Sequence, residues 1–258
     1  MGSISVGAAT YLGKGTAVHA ADRVRDLLEL VVGYALILAV AWTRGRWQKG
    51  LYIAAIVWVV SAVALRFDGW HWTGLRWSGL LRSLWVVGIA LAVALEAVML
   101  AQRFDTLNRP EGAALFAKTF WSYAVWSLVQ QFLLQVFVLR RLVRLFPQHR
   151  RLAIVLAAAM FAIVHLPNPL LTCLTLVWGA GACWLFLRYR NVYTLGITHA
   201  ILGICVAIAV PGHLDHNMRV GRGYLEYQPH EASPFTSGTG HTSGAWVMAD
   251  DPLRSDAR

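Results

Sequence analysis

The sequence predicts an all-α, polytopic membrane protein of about seven transmembrane helices. Apolar runs of nearly the length that a helix needs to cross the hydrocarbon layer recur along the chain. Of its 258 residues, 57 % are hydrophobic and only 14 % are charged, whereas a soluble domain averages roughly 25 % charged residues. Lysine and arginine lie mostly between the runs, where membrane proteins carry their flanking charges.

Basic or proline-containing connections separate the predicted spans. The spans cover residues 28–43, 51–65, 83–102, 119–139, 152–166, 170–187 and 192–210. We expect the basic connections 140–151 and 188–190 to share one side, the cytoplasmic one, with the N-terminus inside and the C-terminus outside. The compact chain lacks organelle targeting, which favours the inner (cytoplasmic) membrane of a bacterium.

The same pattern divides the chain into four parts. Residues 1–26 are an N-terminal tail and interfacial segment, and we expect a short helix from Ala20 to Glu29 with Asp22, Asp26 and their basic neighbours in water. Residues 27–117 hold the N-terminal transmembrane helices, and 118–212 form the core that carries the unusual polar residues. Residues 213–258 are a polar tail, which we expect to be partly disordered.

The net charge of +10 raises the question of nucleic-acid binding. Because the cations flank apolar runs, their distribution indicates membrane topology rather than a nucleic-acid surface. The first predicted partner is therefore the lipid bilayer.

Three amides in one span are the strongest functional signal. Gln130, Gln131 and Gln135 lie within residues 119–139, where lipid offers no hydrogen-bond partner. At helical pitch Gln131 and Gln135 share a face, and Gln130 lies about a quarter turn away. Only two histidines lie in later apolar runs, His165 and His199. We therefore expect the glutamines and these histidines to meet in one buried site.

Other polar residues leave two interpretations open. Glu96 in span 83–102 is either a functional carboxylate or a side chain that reaches the interface near Arg103. His213 and His216, with Asp215 between them, either bind a divalent metal at the mouth of the site or form a wet interfacial loop.

Residues 118–210 resemble the CPBP intramembrane proteases, which include the type II CAAX prenyl endopeptidases and the bacterial Abi proteins. The family has three motifs. The first is a pair of adjacent glutamates followed, after three further residues, by an arginine, and the second is Phe-x-x-x-His. The third is a histidine followed four residues later by Asn or Asp. The counterparts here are Gln130-Gln131 with Gln135, Phe161 with His165, and His199 with Gly203. Order, spacing and membrane context agree, whereas both glutamates, the arginine and the final Asn or Asp are replaced.

The resemblance implies a CPBP (Abi) fold with a polar chamber that opens within the membrane. In the family a glutamate activates water, and histidines and Asn stabilise the oxyanion. The implied catalytic residues are thus Gln130, Gln131, His165 and His199, with Gln135 and Phe161 as binding residues. Glu96, a carboxylate in an apolar span outside these motifs, is a further candidate binding residue. The implied cofactor is a divalent metal such as zinc, for which His165 and His199 are candidate ligands, or none. The implied partner is a membrane-embedded or lipidated protein substrate.

Glutamine limits the chemistry of this site. It keeps the shape of glutamate but accepts no proton, so Gln130 and Gln131 orient water or a carbonyl without acting as the base. His165 or His199 is then the first candidate base, and Glu96 the second. The leading hypothesis is an intramembrane endopeptidase. The rivals are an inactive family member that binds a hydrophobic peptide or lipid as an adaptor or chaperone, and a small transporter, which the scarcity of intramembrane acids disfavours.

Overall fold

The computed structural model describes residues 5–67, 69–77 and 79–227, with side chains from residue 20 onward except that of His71. All regular structure within these residues is helical. The α-helices are α1 Ser5–Trp42, α2 Arg46–Ala64, α3 Trp70–Thr73, α4 Leu80–Arg103, α5 Ala113–Phe132, α6 Arg140–Leu145, α7 Arg150–Ile163, α8 Pro169–Tyr189, α9 Val192–Ala209, α10 Gly212–Asp215 and α11 Gly221–Leu225. The disorder expected beyond residue 227 lies outside the described residues.

The long helices correspond to the predicted spans, so the all-α membrane architecture is confirmed. Five helices of the described chain are long and apolar enough to cross a membrane: Arg46–Ala64, Leu80–Arg103, Ala113–Leu145, Pro169–Tyr189 and Val192–Ala209. The other two are α1, whose apolar half follows a charged stretch, and α7, whose 14 residues span only about 21 Å. Large apolar side chains on α2 and α4 are exposed, as a surface in contact with lipid requires.

Small residues allow the helices that carry the site to approach closely. Helix α9 packs on both α4 and α5, and α7 pairs with α8. A Cβ atom added to Gly196 would lie 3.0 Å from the Cα atom of Leu128 on α5, and one added to Gly179 would lie 3.3 Å from the Cα atom of Ala158 on α7. Glycine at these contacts brings the backbones of α5 and α9, and of α7 and α8, into contact.

Helix α5 continues as a π-helical stretch, Leu133–Leu139, before α6 begins. Every residue from Leu134 to Leu139 is buried, and Phe137 and Leu139 have no exposed surface. Single π-helical turns inside α-helices are often found at functional sites. Here the stretch begins two residues after Gln131 and contains Gln135.

The charged connections define two opposite ends of the helix bundle. Arg190 lies close enough to Arg140 and Arg150 for their charges to interact, so the two basic connections share one end as predicted. Arg44 pairs with Glu226 at the other end. The charged part of α1 lies at the basic end, because its Glu29 pairs with Arg141. It and the segment after α9 therefore lie at opposite ends of the bundle, which is consistent with an odd number of spans.

A network of buried ions joins α1 to α6 at the basic end. Arg141 is 2 % exposed, and its Nη2 donates to Glu29 Oε2 at 2.8 Å. Asp26, also 2 % exposed, accepts from Arg66 at 3.0 Å and from Arg144 at 2.6 Å. The expectation that Asp26 lies in water is wrong, because arginines distant in sequence surround and neutralise this carboxylate.

We predict that Glu29→Leu lowers the free energy of unfolding by about 3–5 kcal/mol, because it leaves Arg141 buried without its carboxylate. The double variant Glu29→Leu/Arg141→Met should recover most of this loss, since apolar side chains then fill the same space. Arg25→Ala is the control. It removes the other partner of Glu29, a side chain 47 % exposed, and should cost less than about 1 kcal/mol.

These free energies are measured by unfolding in mixed micelles of increasing denaturing-detergent content. A loss of the same size in the single and the double variant would contradict the dependence on an unpaired charge.

Candidate functional site

A chain of hydrogen bonds joins the glutamines to His199. Gln131 and Gln135 have no exposed surface. The Nε2 atom of Gln135 donates to Gln131 Oε1 at 3.0 Å, and the Nε2 atom of Gln131 lies 3.0 Å from His199 Nδ1. An amide nitrogen only donates, so His199 Nδ1 accepts and the ring carries its proton on Nε2.

His165 has the opposite tautomer. Its Nδ1 lies 2.8 Å from the backbone carbonyl oxygen of Phe161, one helical turn earlier. Since a carbonyl oxygen only accepts, Nδ1 carries the proton and Nε2 keeps a free lone pair. The two imidazoles therefore differ: His165 presents an acceptor at Nε2, and His199 presents a donor.

The ring of Phe161 positions both histidines. Its centroid is 4.9 Å from that of His165 and 5.8 Å from that of His199, with interplanar angles of 75° and 86°. The indole of Trp178, at 6.2 Å, lies against His199 as well. Such edge-to-face contacts restrict how each imidazole can rotate.

The histidines face one large cavity. Its volume is about 760 Å³, and its lining is mostly apolar and comes from both the N-terminal helices and the core. Among the polar residues that line it are Gln130, His165 and His199, whereas Gln131 and Gln135 lie behind the wall. The structure therefore brings the predicted glutamines and histidines together, with Gln130 in the cavity and the other two amides behind His199.

Glu96 is the predicted site residue that the structure does not bring to the cavity. Its side chain is exposed on α4, although Val93 and Ala97 on the same helix line the cavity. Helical geometry accounts for the difference, because residue 96 points about a quarter turn away from residue 97. Glu96 is therefore not placed to act as a base there.

Sequence reasoning missed Tyr123. It is 8 % exposed and lines the cavity with the histidines. It precedes Ser127 by one helical turn and Gln130 and Gln131 by about two, so these residues share a face of α5. This spacing was the only indication in the sequence that Tyr123 belongs to the site. It was missed because an aromatic residue in a membrane helix is more often a packing residue.

A cap formed by residues 211–227 covers the cavity at the end remote from the basic connections. Met218 and Val220 of the cap line the cavity. Asn168 holds the cap by donating to the carbonyl oxygens of Asp215 at 2.6 Å and Arg219 at 3.1 Å. The segment between α10 and α11 therefore forms part of the cavity wall at this end.

The histidines do not assemble a metal site. In the part of the chain that the structure describes, no group of three or more His, Cys, Asp or Glu side chains is placed to hold a metal ion. His216 instead stacks on Tyr224 and Tyr227, with centroid distances of 3.9 and 4.9 Å. Among the residues that line the cavity, the side-chain oxygens belong to amides and hydroxyls and none to a carboxylate. These groups suit a divalent metal less well than carboxylates, so the residues present do not fit zinc.

We predict that the stability of the cap falls as pH rises. Burial raises the pKa of Asp215 from 3.8 to about 6, although the Asn217 amide and His216 oppose this shift. A raised pKa means that the folded cap holds a proton that the open cap releases, so stability is lost between pH 4 and about 6.

Asp215→Asn removes this loss. At pH 8 it should protect residues 211–227 from hydrogen–deuterium exchange by on the order of 2 kcal/mol more than the unsubstituted protein, with no gain at pH 4. Glu111→Gln removes an exposed carboxylate and is the control. An equal gain at both pH values would contradict the role of Asp215 ionisation.

Comparison with known proteins finds one family, and the match covers the part of the chain that carries the site. Residues 112–205, which contain the glutamines, both histidines and Gly203, match the family model described as Type II CAAX prenyl endopeptidase Rce1-like. No curated protein and no solved structure matches the chain. Over these 94 of its 258 residues, the chain is similar to the type II CAAX prenyl endopeptidases.

Proposed function

We propose that this protein is an intramembrane endopeptidase that hydrolyses a peptide bond in a membrane-embedded or lipidated protein. One observation supports the proposal: His165 and His199 line the same cavity, and the partners of their Nδ1 atoms, a carbonyl oxygen and an amide nitrogen, favour opposite tautomers. Peptide hydrolysis needs an acceptor for the proton of water and a donor for the oxyanion. The two Nε2 atoms supply one of each.

The cavity suits a hydrophobic substrate. A volume of about 760 Å³ falls within the range of ordinary ligand sites, which are mostly apolar with a few placed polar groups. The apolar walls accept the flanking side chains or the lipid of a substrate. Its scissile carbonyl then lies at the polar face formed by Gln130, His165 and His199.

His165 is the general base in this mechanism. Its Nε2 lone pair takes a proton from water as the water oxygen bonds to the carbonyl carbon, and the carbonyl π electrons move to the oxygen. The carbon–nitrogen bond then breaks, and the imidazolium returns the proton to the leaving amine. Glutamine accepts no proton, so of Gln130, His165 and His199 only a histidine can serve as the base.

His199 stabilises the oxyanion through Nε2–H. Gln131 holds the opposite side of the ring and thereby keeps the proton on Nε2, and Gln135 in turn orients Gln131. A donor that is oriented in advance in a water-poor site stabilises developing charge strongly. Gln130, which lines the cavity, binds water or the carbonyl beside it.

A second candidate function is binding without turnover. It is favoured by the neutral amides that replace the family's carboxylates, because they bind a peptide or lipid headgroup without activating water. In that case the protein is an adaptor or chaperone for a hydrophobic segment.

We predict that His165→Ala and His199→Ala each lower hydrolysis of a quenched membrane-peptide library by about 10²–10³-fold. Purified protein in detergent is used, and substrate binding is measured in parallel. His213→Ala is the matched control, since His213 is exposed in the cap. Binding without turnover in the unsubstituted protein would reject hydrolysis in favour of the adaptor.

We also predict that Gln131→Glu changes the tautomer of His199. A carboxylate only accepts, so the His199 proton moves from Nε2 to Nδ1 to meet it. Nitrogen-15 NMR of histidine-labelled protein reads the two ring nitrogens directly. A proton already on His199 Nδ1 in the unsubstituted protein would contradict the hydrogen-bond direction on which the mechanism depends.

A further inference from the structure

Position 203 has no side chain, and a residue from another helix fills its place. Gly203 lies one helical turn after His199 on α9, where the resembling family carries Asn or Asp. A Cβ atom added to Gly203 would lie 1.8 Å from the hydroxyl oxygen of Tyr123 and 2.5 Å from its Cζ atom. With Tyr123 in this position, only glycine fits at 203.

The Tyr123 hydroxyl is thereby held at the polar face of the cavity. Tyr123 and Gly203 both line the cavity together with His199 and His165. The phenol reaches α9 from α5, two helices that pack closely along their length. Its hydroxyl therefore lies beside the backbone one turn from His199, whose Nε2–H serves the same cavity.

Packing alone does not account for the hydroxyl. Phenylalanine fills the same volume without the cost of removing a polar group from water. Ser127, one turn later on α5, lies beside the phenol and is itself fully buried. Two hydroxyls on the face of α5 that also carries the glutamines indicate a polar role.

We propose that Tyr123 is a second oxyanion donor, which supplies from α5 the hydrogen bond that α9 lacks at position 203. This inference rests on the proposed hydrolysis. The phenol donates its O–H hydrogen bond to the oxyanion beside His199 Nε2–H and transfers no proton. An oxyanion in a water-poor cavity is stabilised better by two oriented donors than by one.

A pair of hydrophobic peptides tests this role without requiring turnover. One carries a phosphinate in place of the scissile amide, so its tetrahedral oxygens mimic the oxyanion, and the other carries a methylene group there. Tyr123→Phe should weaken binding of the phosphinic peptide about tenfold and change binding of the methylene peptide less than about twofold. Tyr193→Phe, on α9 and stacked on Trp77, is the matched control and should change neither.

Each outcome decides the question. The proposal is overturned if Tyr123→Phe weakens the binding of both peptides equally or weakens the binding of neither. It is also overturned if the unsubstituted protein binds both peptides with equal affinity or binds neither. If the phosphinic peptide depends on Tyr123 but no substrate is cleaved, the donor role stands and the proposed endopeptidase activity fails.

Moving the polar group back to α9 provides a second test. Tyr123→Leu should weaken the phosphinic peptide about tenfold, and Tyr123→Leu/Gly203→Asn should recover most of that affinity. Gly203→Ala should lower the melting temperature more when it is made in the unsubstituted protein than when it is made in the Tyr123→Leu variant. Leucine at position 123 is shorter than tyrosine and leaves room for the added methyl group. If Gly203→Ala lowers the melting temperature equally in both proteins, the side chains at positions 123 and 203 do not compete for the same volume, and the proposal is overturned.

Discussion

A polar side chain inside a membrane must find its hydrogen bonds within the protein, and this constraint organises the site. Gln135, Gln131 and His199 meet most of this need as one chain of hydrogen bonds from the π-helical stretch to α9, and only the Oε1 atom of Gln135 in this chain is buried without a partner. The chain also has a chemical consequence, because it determines which nitrogen of His199 carries the proton. The chemistry available in the cavity therefore follows from hydrogen bonds formed behind its wall.

The sequence predicted the parts of this protein that depend on local composition. Hydropathy and flanking charge gave the long helices and placed the two basic connections at one end. The need to satisfy buried amides led from Gln131 to His199, 68 residues away. It succeeded because the later apolar runs contain only two histidines, which left few possible partners.

Other features depend on contacts that composition does not reveal. Asp26 was expected in water because the arginines that bury it, Arg66 and Arg144, are distant in sequence. Glu96 could not be assigned to a face from the sequence, since apolar residues surround it along α4 and either interpretation of its position was compatible with them. The π-helical stretch follows an apolar sequence with no proline or glycine to mark it, and Tyr123 resembled an ordinary packing residue.

The contact between Tyr123 and Gly203 also constrains the order in which such a site evolves. Tyrosine cannot enter position 123 while a side chain occupies 203, because the two would overlap. A lineage that began with asparagine at 203 must first have lost that side chain and only then gained the phenol. Among homologues, a tyrosine at position 123 should therefore not occur together with a residue larger than glycine at position 203. A homologue with glycine at 203 and a small residue at 123 would represent the intermediate step.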